Sequence, residues 1–253
     1  MRAPVIYALA ALVATCSFAA IDPESAIGIW LFDEGSGDTA ADSTGNGNDG
    51  ELVDATWGDG VRDSKGVEFD GVAHVAFPAN AMMDDYLDGF TYMLWVDVVA
   101  APNGNTRIME RDWHNPTIQA GAGDFYGSIV TGAANIDNGI RGGAHAPGQF
   151  VHVALTHDGS TLMLYVEGEA VAESQVDEPT LTNANDDGAI WLGQWKAVGW
   201  DLTGRVDEVA VFNEPLEQGD IQELMTDGFE GFLAVEARGK LAMSWGRLKA
   251  STR

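Results

Sequence analysis

The chain of 253 residues has a single cysteine, Cys16, so no internal disulfide can form and stability must come from burial or from a bound ion. Bases are nearly as scarce: 13 Lys and Arg face 39 Asp and Glu, a formal net charge of −26. A surface of that sign repels phosphate backbones and argues against a nucleic-acid partner. No apolar run after the first twenty residues approaches the roughly 18 needed for a membrane helix. The chain also lacks a Gly-x-Ser-x-Gly elbow, a phosphate loop and any tight His cluster, which removes common hydrolase, nucleotide and zinc signatures. Helical periodicity is rare as well, which turns attention to strands.

The first twenty residues do carry a pattern. Arg2, an apolar stretch from Val5 to Val13, and the small residues Ser17, Ala19 and Ala20 predict a secretory signal peptide over residues 1–20 and a secreted, extracellular chain. Lipoprotein anchoring at Cys16 fits less well, because Thr15 directly precedes it. Residues 21–230 contain no Pro/Ser-rich linker and no fixed repeat, and are read as one domain. Residues 231–253 differ: Arg238, Lys240, Arg247, Lys249 and Arg253 stand against Glu236 alone. This basic C-terminal tail admits three readings: an added strand pair, a disordered end, or an anchoring segment.

Short apolar or alternating runs punctuated by Gly, Asn, Asp and Pro fill the domain. Those at 27–32, 67–70, 74–77, 90–99, 106–110, 150–156, 162–166, 189–192 and 206–212 predict strands. Within "FVHVALTHDGSTLMLYVEG", His152, Ala154 and Thr156 share one face, Val151, Val153 and Leu155 the other, and Asp158-Gly159 makes a hairpin turn. One helix is predicted in "NEPLEQGDIQELMTDG", capped by Asp220, with Ile221, Leu224 and Met225 on one side and Gly228 as its stop. Many evenly spaced strands with one short C-terminal helix predict an all-β antiparallel sandwich or jelly roll.

Two sets of residues are candidates for binding. "DSTGNGNDG", residues 42–50, offers carboxylate, amide and backbone oxygens on a chain that glycine lets turn inward, which is calcium chemistry. Asp42 with an oxygen from Asn46 or Asn48 is the expected donor set; a pair of plain turns is the competing reading. The frame is not an EF-hand, since the twelfth-position Glu is missing. Second, eight Trp are many for this length, and Trp113, Trp195 and Trp200 fall in predicted loops, "RDWHNP" and "GQWKAVGW". Flat aromatic faces with polar neighbours suit sugars, so Trp113, His114, Arg111, Trp195 and Lys196 are the expected ligand residues, with Asp112 beside them. Trp30, Trp95 and Trp191 lie in strand-like runs and are expected in the core. His74, His152 and His157 are expected as satisfied sheet histidines, and His145 lies in a predicted loop.

Three stretches together resemble one family: "IWLFDEGSGDTAADSTGNGNDGEL", "VEFDGVAHVAFP" and "IWLGQWKAVGWDLTGRVDEVAVFNEPLEQGDIQELM". They are similar to the laminin-G-like, concanavalin A-like lectin and glucanase jelly roll of secreted bacterial proteins, over about residues 26–228. The resemblance implies two antiparallel sheets face to face, a carbohydrate-binding or adhesive module, and a structural calcium ion. It also implies that calcium is shared between the early loop and Asp207 of "GRVDEVAVF", with Asp33 and Glu34 in reserve. The family pattern places an aromatic shortly before that strand, which makes Trp200 structural. A polysaccharide or glycan is therefore the expected partner, with an extracellular protein as an alternative. A polysaccharide-degrading enzyme on the same fold is the other alternative. Its glucanase form fails, because Glu68 and Asp70 are followed by Gly71, Val72 and Ala73 where a third acid is needed. Its lyase form would draw on Arg107, His114 and Tyr126.

Overall fold

The computed structural model describes residues 21–78, 89–101, 104–111, 114–131, 136–176, 189–196 and 199–234. The expected signal peptide, Asp112, Trp113 and most of the basic tail lie outside these. After a short 3-10 turn at Pro23–Ser25, the described residues form β1 (Ala26–Trp30), β2 (Thr39–Ala40), β3 (Gly50–Val53), β4 (Thr56–Asp59), β5 (Lys65–Asp70) and β6 (His74–Phe77). There follow β7 (Phe90–Ala100), β8 (Thr106–Arg111), β9 (Thr117–Ala120), β10 (Phe125–Ser128), β11 (Val130–Thr131) and β12 (Ile136–Asp137). The last third holds β13 (Ile140–Gly142), β14 (Val151–His157), β15 (Thr161–Val166), β16 (Glu169–Gln175), β17 (Ile190–Leu192), β18 (Thr203–Phe212) and α1 (Gln218–Asp227).

Two large antiparallel sheets result, beside a two-stranded ribbon of β11 and β12. The first runs β16-β15-β14-β7-β18-β5-β4, with β1 paired to the end of β18 beyond β5; the second runs β13-β10-β9-β8-β17-β6-β3-β2. Alternation along each strand decides what lies between them. Leu94, Val96, Val153, Leu155, Val209 and Val211 of the first sheet meet Val75, Phe77, Ile108, Ile118, Phe125 and Ile190 of the second in one core. Trp30 is wholly buried there, its ring 4.0 Å from that of Phe77.

The other face of the first sheet is covered too. Ile29, Met93, Ala154, Tyr165, Ala210 and Phe212 pack against Leu216, Ile221 and Leu224, so α1 makes a third layer. The cap of α1 is Glu217 rather than Asp220: Asp220 is the third residue of the helix and is buried, three positions past the cap. Gly228 ends the helix at φ 73°, its N–H donating to Leu224 O. Past it, Phe229 is buried and Phe232 lies edge-on to Phe212, so the start of the tail continues this layer.

The β14–β15 hairpin forms as its alternation predicts, with the Asp158 carboxylate accepting from the Ser160 and Thr161 N–H groups and Gly159 at φ 87°.

Candidate functional site

Strand alternation also builds the candidate site. Ile108, Ile118, Phe125 and Ile140 point into the core, so Arg107, Gln119, Tyr126 and Arg141 beside them point outward from the second sheet. Register sets these four side by side: Arg107 against Gln119, Gln119 against Tyr126, Tyr126 against Arg141. A second row carries Glu110, Thr117 and Ser128. Asn105, His114, Asp137 and Trp200 close over the first row and complete a cleft of about 210 Å³.

One hydrogen-bonded network holds the cleft. Glu110, fully buried, pairs with the Arg107 guanidinium and accepts from the His114 backbone N–H at 3.1 Å and the Thr117 hydroxyl at 3.2 Å. Burial pushes its carboxyl up to about 7, against the pull of Arg107 and His114. These bonds hold His114 at φ 54°, left-handed backbone that a non-glycine residue adopts only when its surroundings impose it. The Arg107 guanidinium lies 3.3 Å from His114 Nε2. A guanidinium has only donors, so Nε2 accepts and Nδ1 carries the proton it donates to Asp137 at 3.2 Å.

Asp137 also accepts from the Tyr126 hydroxyl at 2.8 Å and from Ser128. Burial alone would raise its carboxyl, but the bonds from His114, Ser128 and Tyr126 win and hold it at about 2. Tyr126 responds in the other direction: burial, seconded by the Asp137 carboxylate, pushes its hydroxyl up to about 12. Arg141 lies over the Tyr126 ring at 4.7 Å, and Arg107 over that of Trp200 at 5.3 Å. The result is a set of planar donors and acceptors framed by two aromatic faces, suited to a ring that displays hydroxyls.

Of the ligand residues expected from sequence, His114 lines the cleft. Arg111 does not: it is paired across from the core residue Ile190, its side chain is buried, and its N–H bonds Pro116 O at 3.0 Å. Trp195 and Lys196 follow β17 and are not among the lining residues. Trp200, expected as structural, does pack onto Arg107, whose guanidinium lies over its ring and whose N–H donates to its carbonyl at 2.8 Å, and at 39% exposed it lines the cleft as well. Trp95 and Trp191 are corrected. Their neighbours Leu94, Val96, Ile190 and Leu192 take the core, so both rings turn outward and are half-buried. His152 and His157 are buried, yet Nδ1 of the first and Nε2 of the second have no partner among the described residues.

The residues expected to share calcium do not form one oxygen cage. Asp42 Oδ1 accepts from the Ile29 N–H, the Thr44 N–H and the Thr44 hydroxyl, and Oδ2 from the Asn48 N–H. Asn46 and Asn48 turn their amide nitrogens, not their oxygens, to the Ala26 and Ile27 carbonyls. Ser43 N–H completes the pattern by bonding Ile29 O at 2.8 Å. The glycine-rich loop therefore satisfies the edge of β1 that β18 leaves free, an edge that would otherwise invite another strand.

Asp207 belongs to a different turn. It is wholly buried, accepts from the Val61 N–H at 2.8 Å and the Ser64 hydroxyl at 2.9 Å, and is pushed up to about 7 by burial. Glu208, facing away, pairs with Arg62. Asp33 and Glu34 accept from the Lys65 and Ala41 N–H groups. Among the described residues no group of three or more His, Cys, Asp and Glu is placed to hold a metal.

Gln119, Arg141, Asp137 and Asn105 were not anticipated from sequence. "TIQA", "FYGS" and "IRG" each alternate apolar with polar, a weak signal in strands only three or four residues long.

No curated protein matches the chain. Among solved structures, the binding domain of Paraclostridial Mosquitocidal Protein 1 superposes with TM-score 0.65 at 15% identity, covering 82% of this chain and 53% of that one. A botulinum neurotoxin type C structure, described as dependent on two ganglioside molecules to enter cells, gives 0.63 at 12% identity, covering 81% and 51%. The botulinum neurotoxin DC binding domain in complex with rat synaptotagmin II gives 0.62 at 13%, covering 81% and 52%. The chain thus spans about half the length of these structures, which share its fold. The Laminin_G_3 family model matches residues 69–222, more than half of the chain, and the chain belongs to that family of the concanavalin A-like lectin/glucanases superfamily.

Proposed function

We propose that the chain is an exported, non-catalytic binding module for glycans, with the cleft over β8, β9, β10 and β13 as its ligand site. The observation that carries this reading is the register row Arg107, Gln119, Tyr126 and Arg141, roofed by His114 and Trp200. Tyr126 and Arg141 present planar hydrogen-bonding groups at strand spacing on a rigid sheet, with Arg107 and Gln119 buried behind them. Superfamily membership and the likeness to toxin binding domains support a binding role, and the N-terminal pattern at Arg2 and Val5–Val13 supports export.

A glycan array read with Arg141→Ala and Trp200→Ala tests it. Both side chains are partly exposed, so folding should survive, and each should weaken binding on the order of tenfold, about 1.4 kcal/mol. Full signal in both variants would move the site elsewhere. No glycan signal alongside capture of a purified extracellular protein would favour the adhesion alternative, for which the synaptotagmin II complex is a precedent on this fold.

A lyase reading has one observation in its favour: Arg107, His114 and Tyr126 share the cleft. Against it, His114 Nε2 already accepts, and Tyr126 is held protonated by burial and by Asp137. An ultraviolet assay for unsaturated products on uronate polymers separates the two readings.

A further inference from the structure

The outward face does not stop at β8. Glu110 is opposite Trp191 of β17, Trp191 is opposite Ala76 of β6, and Ala76 is opposite Glu51 of β3. The Trp191 ring lies 4.9 Å from that of His74, tilted by 34°. Gln194 Nε2 donates to Val72 O at 3.0 Å and lies 2.6 Å from His74 Nδ1. That nitrogen therefore accepts, and Nε2 carries the proton. Burial lowers the pKa of His74, which keeps the ring neutral at pH 7. The Trp191 indole N–H has no partner among the described residues. The half-buried Trp191 ring, with the buried His74 packed behind it, thus continues the face beyond Glu110.

Size and charge narrow the ligand. From β13 to β6 the face crosses five strand spacings, about 24 Å at ~4.8 Å each. That is several sugar rings, not one. Arg107 and Arg141 are matched by Glu110, Asp137 and Asp124, so the face has no surplus positive charge on a chain of net −26. A polyanion would be repelled.

Resting on the glycan reading above, we infer that this face takes a linear, uncharged polysaccharide laid across the strands, with the Trp191 ring, backed by His74, as a second sugar subsite beyond the Arg107 cleft. A short oligosaccharide fills one subsite, and a longer one reaches both.

Calorimetric titration with uncharged gluco-, manno- and xylo-oligosaccharides, from disaccharide to hexasaccharide, tests this. Affinity should rise roughly tenfold with length in the wild-type chain. Trp191→Ala should abolish the rise and leave disaccharide binding unchanged, Trp191→Phe should keep most of it, and Trp200→Ala should weaken every length. Length-independent affinity, or a rise that survives Trp191→Ala, overturns the second subsite. Binding confined to uronate oligosaccharides overturns the charge assignment. Failure of every glycan of any length or charge would instead remove the reading on which the inference rests.

Discussion

Replacing Asp42 by Asn tests whether the glycine-rich loop is an edge cap or an ion site. The carboxylate takes four donors, three on Oδ1 and one, the Asn48 N–H, on Oδ2. An amide keeps the shape and can retain the three on its oxygen. Its NH₂ must then face the Asn48 N–H, donor against donor, in a place where Asn48 is wholly buried. One lost acceptor and one stranded donor cost about 1–3 kcal/mol. For a domain of this size, each kcal/mol shifts Tm by about 2–4 °C, so Asp42→Asn should melt roughly 2–12 °C lower. Asp42→Ala, which strands all four donors, should lose more. Thermal unfolding in calcium and again in chelator should show the same decrement, because the groups that need Asp42 belong to the chain itself. An unchanged Tm would refute the edge-cap reasoning. A decrement seen only with calcium would return these oxygens to an ion.

Other consequences follow from groups the fold perturbs. Glu110 and Asp207 hold their protons up to about 7 when folded but release them near their ordinary values of 4.5 and 3.8 when unfolded. The folded chain then binds more protons over that interval, so stability should fall as pH rises from about 4 to about 7 and level off above it. Each group accounts for up to about 3–4 kcal/mol at ~1.4 kcal/mol per pKa unit. Asp207→Asn should flatten part of that slope in denaturant titrations; a wild-type stability that climbs across the window would contradict the assignment. Gly28→Ala should lower Tm, because a β-carbon there would run into the Trp30 ring, an overpacking worth about 1–3 kcal/mol; an unshifted melt would show that the ring can give way. Tyr126→Phe keeps the ring under Arg141 but removes the hydroxyl bound to Asp137, and glycan affinity should drop on the order of tenfold; an unchanged Kd would place the ligand away from Tyr126.

The fold was legible where strands are long and alternation is strong. All nine runs read as strands are strands, and the β14–β15 hairpin turns at Asp158-Gly159 as expected. Short polar strands were not legible: β9, β10 and β13 have three or four residues each, and without neighbours they resemble loop. Counting parity against Ile190 and Leu192 would have turned Trp191 outward. The mere presence of Trp in a strand-like run says only that it lies in a strand.

Composition and pattern by themselves determined that this is an acidic β sandwich with a helix after its last long strand, because those follow from local periodicity and from the residues that break it. Only the tertiary structure decided what the polar residues do. Asp42 and Asp207 look like partners in the chain, but Asp42 serves the edge of β1 and Asp207 the turn before β5. Arg107, Gln119, Tyr126 and Arg141, unremarkable in sequence, become one row because antiparallel register sets them opposite one another. Register depends on how four separate strands pair across the sheet, and no single segment contains that information.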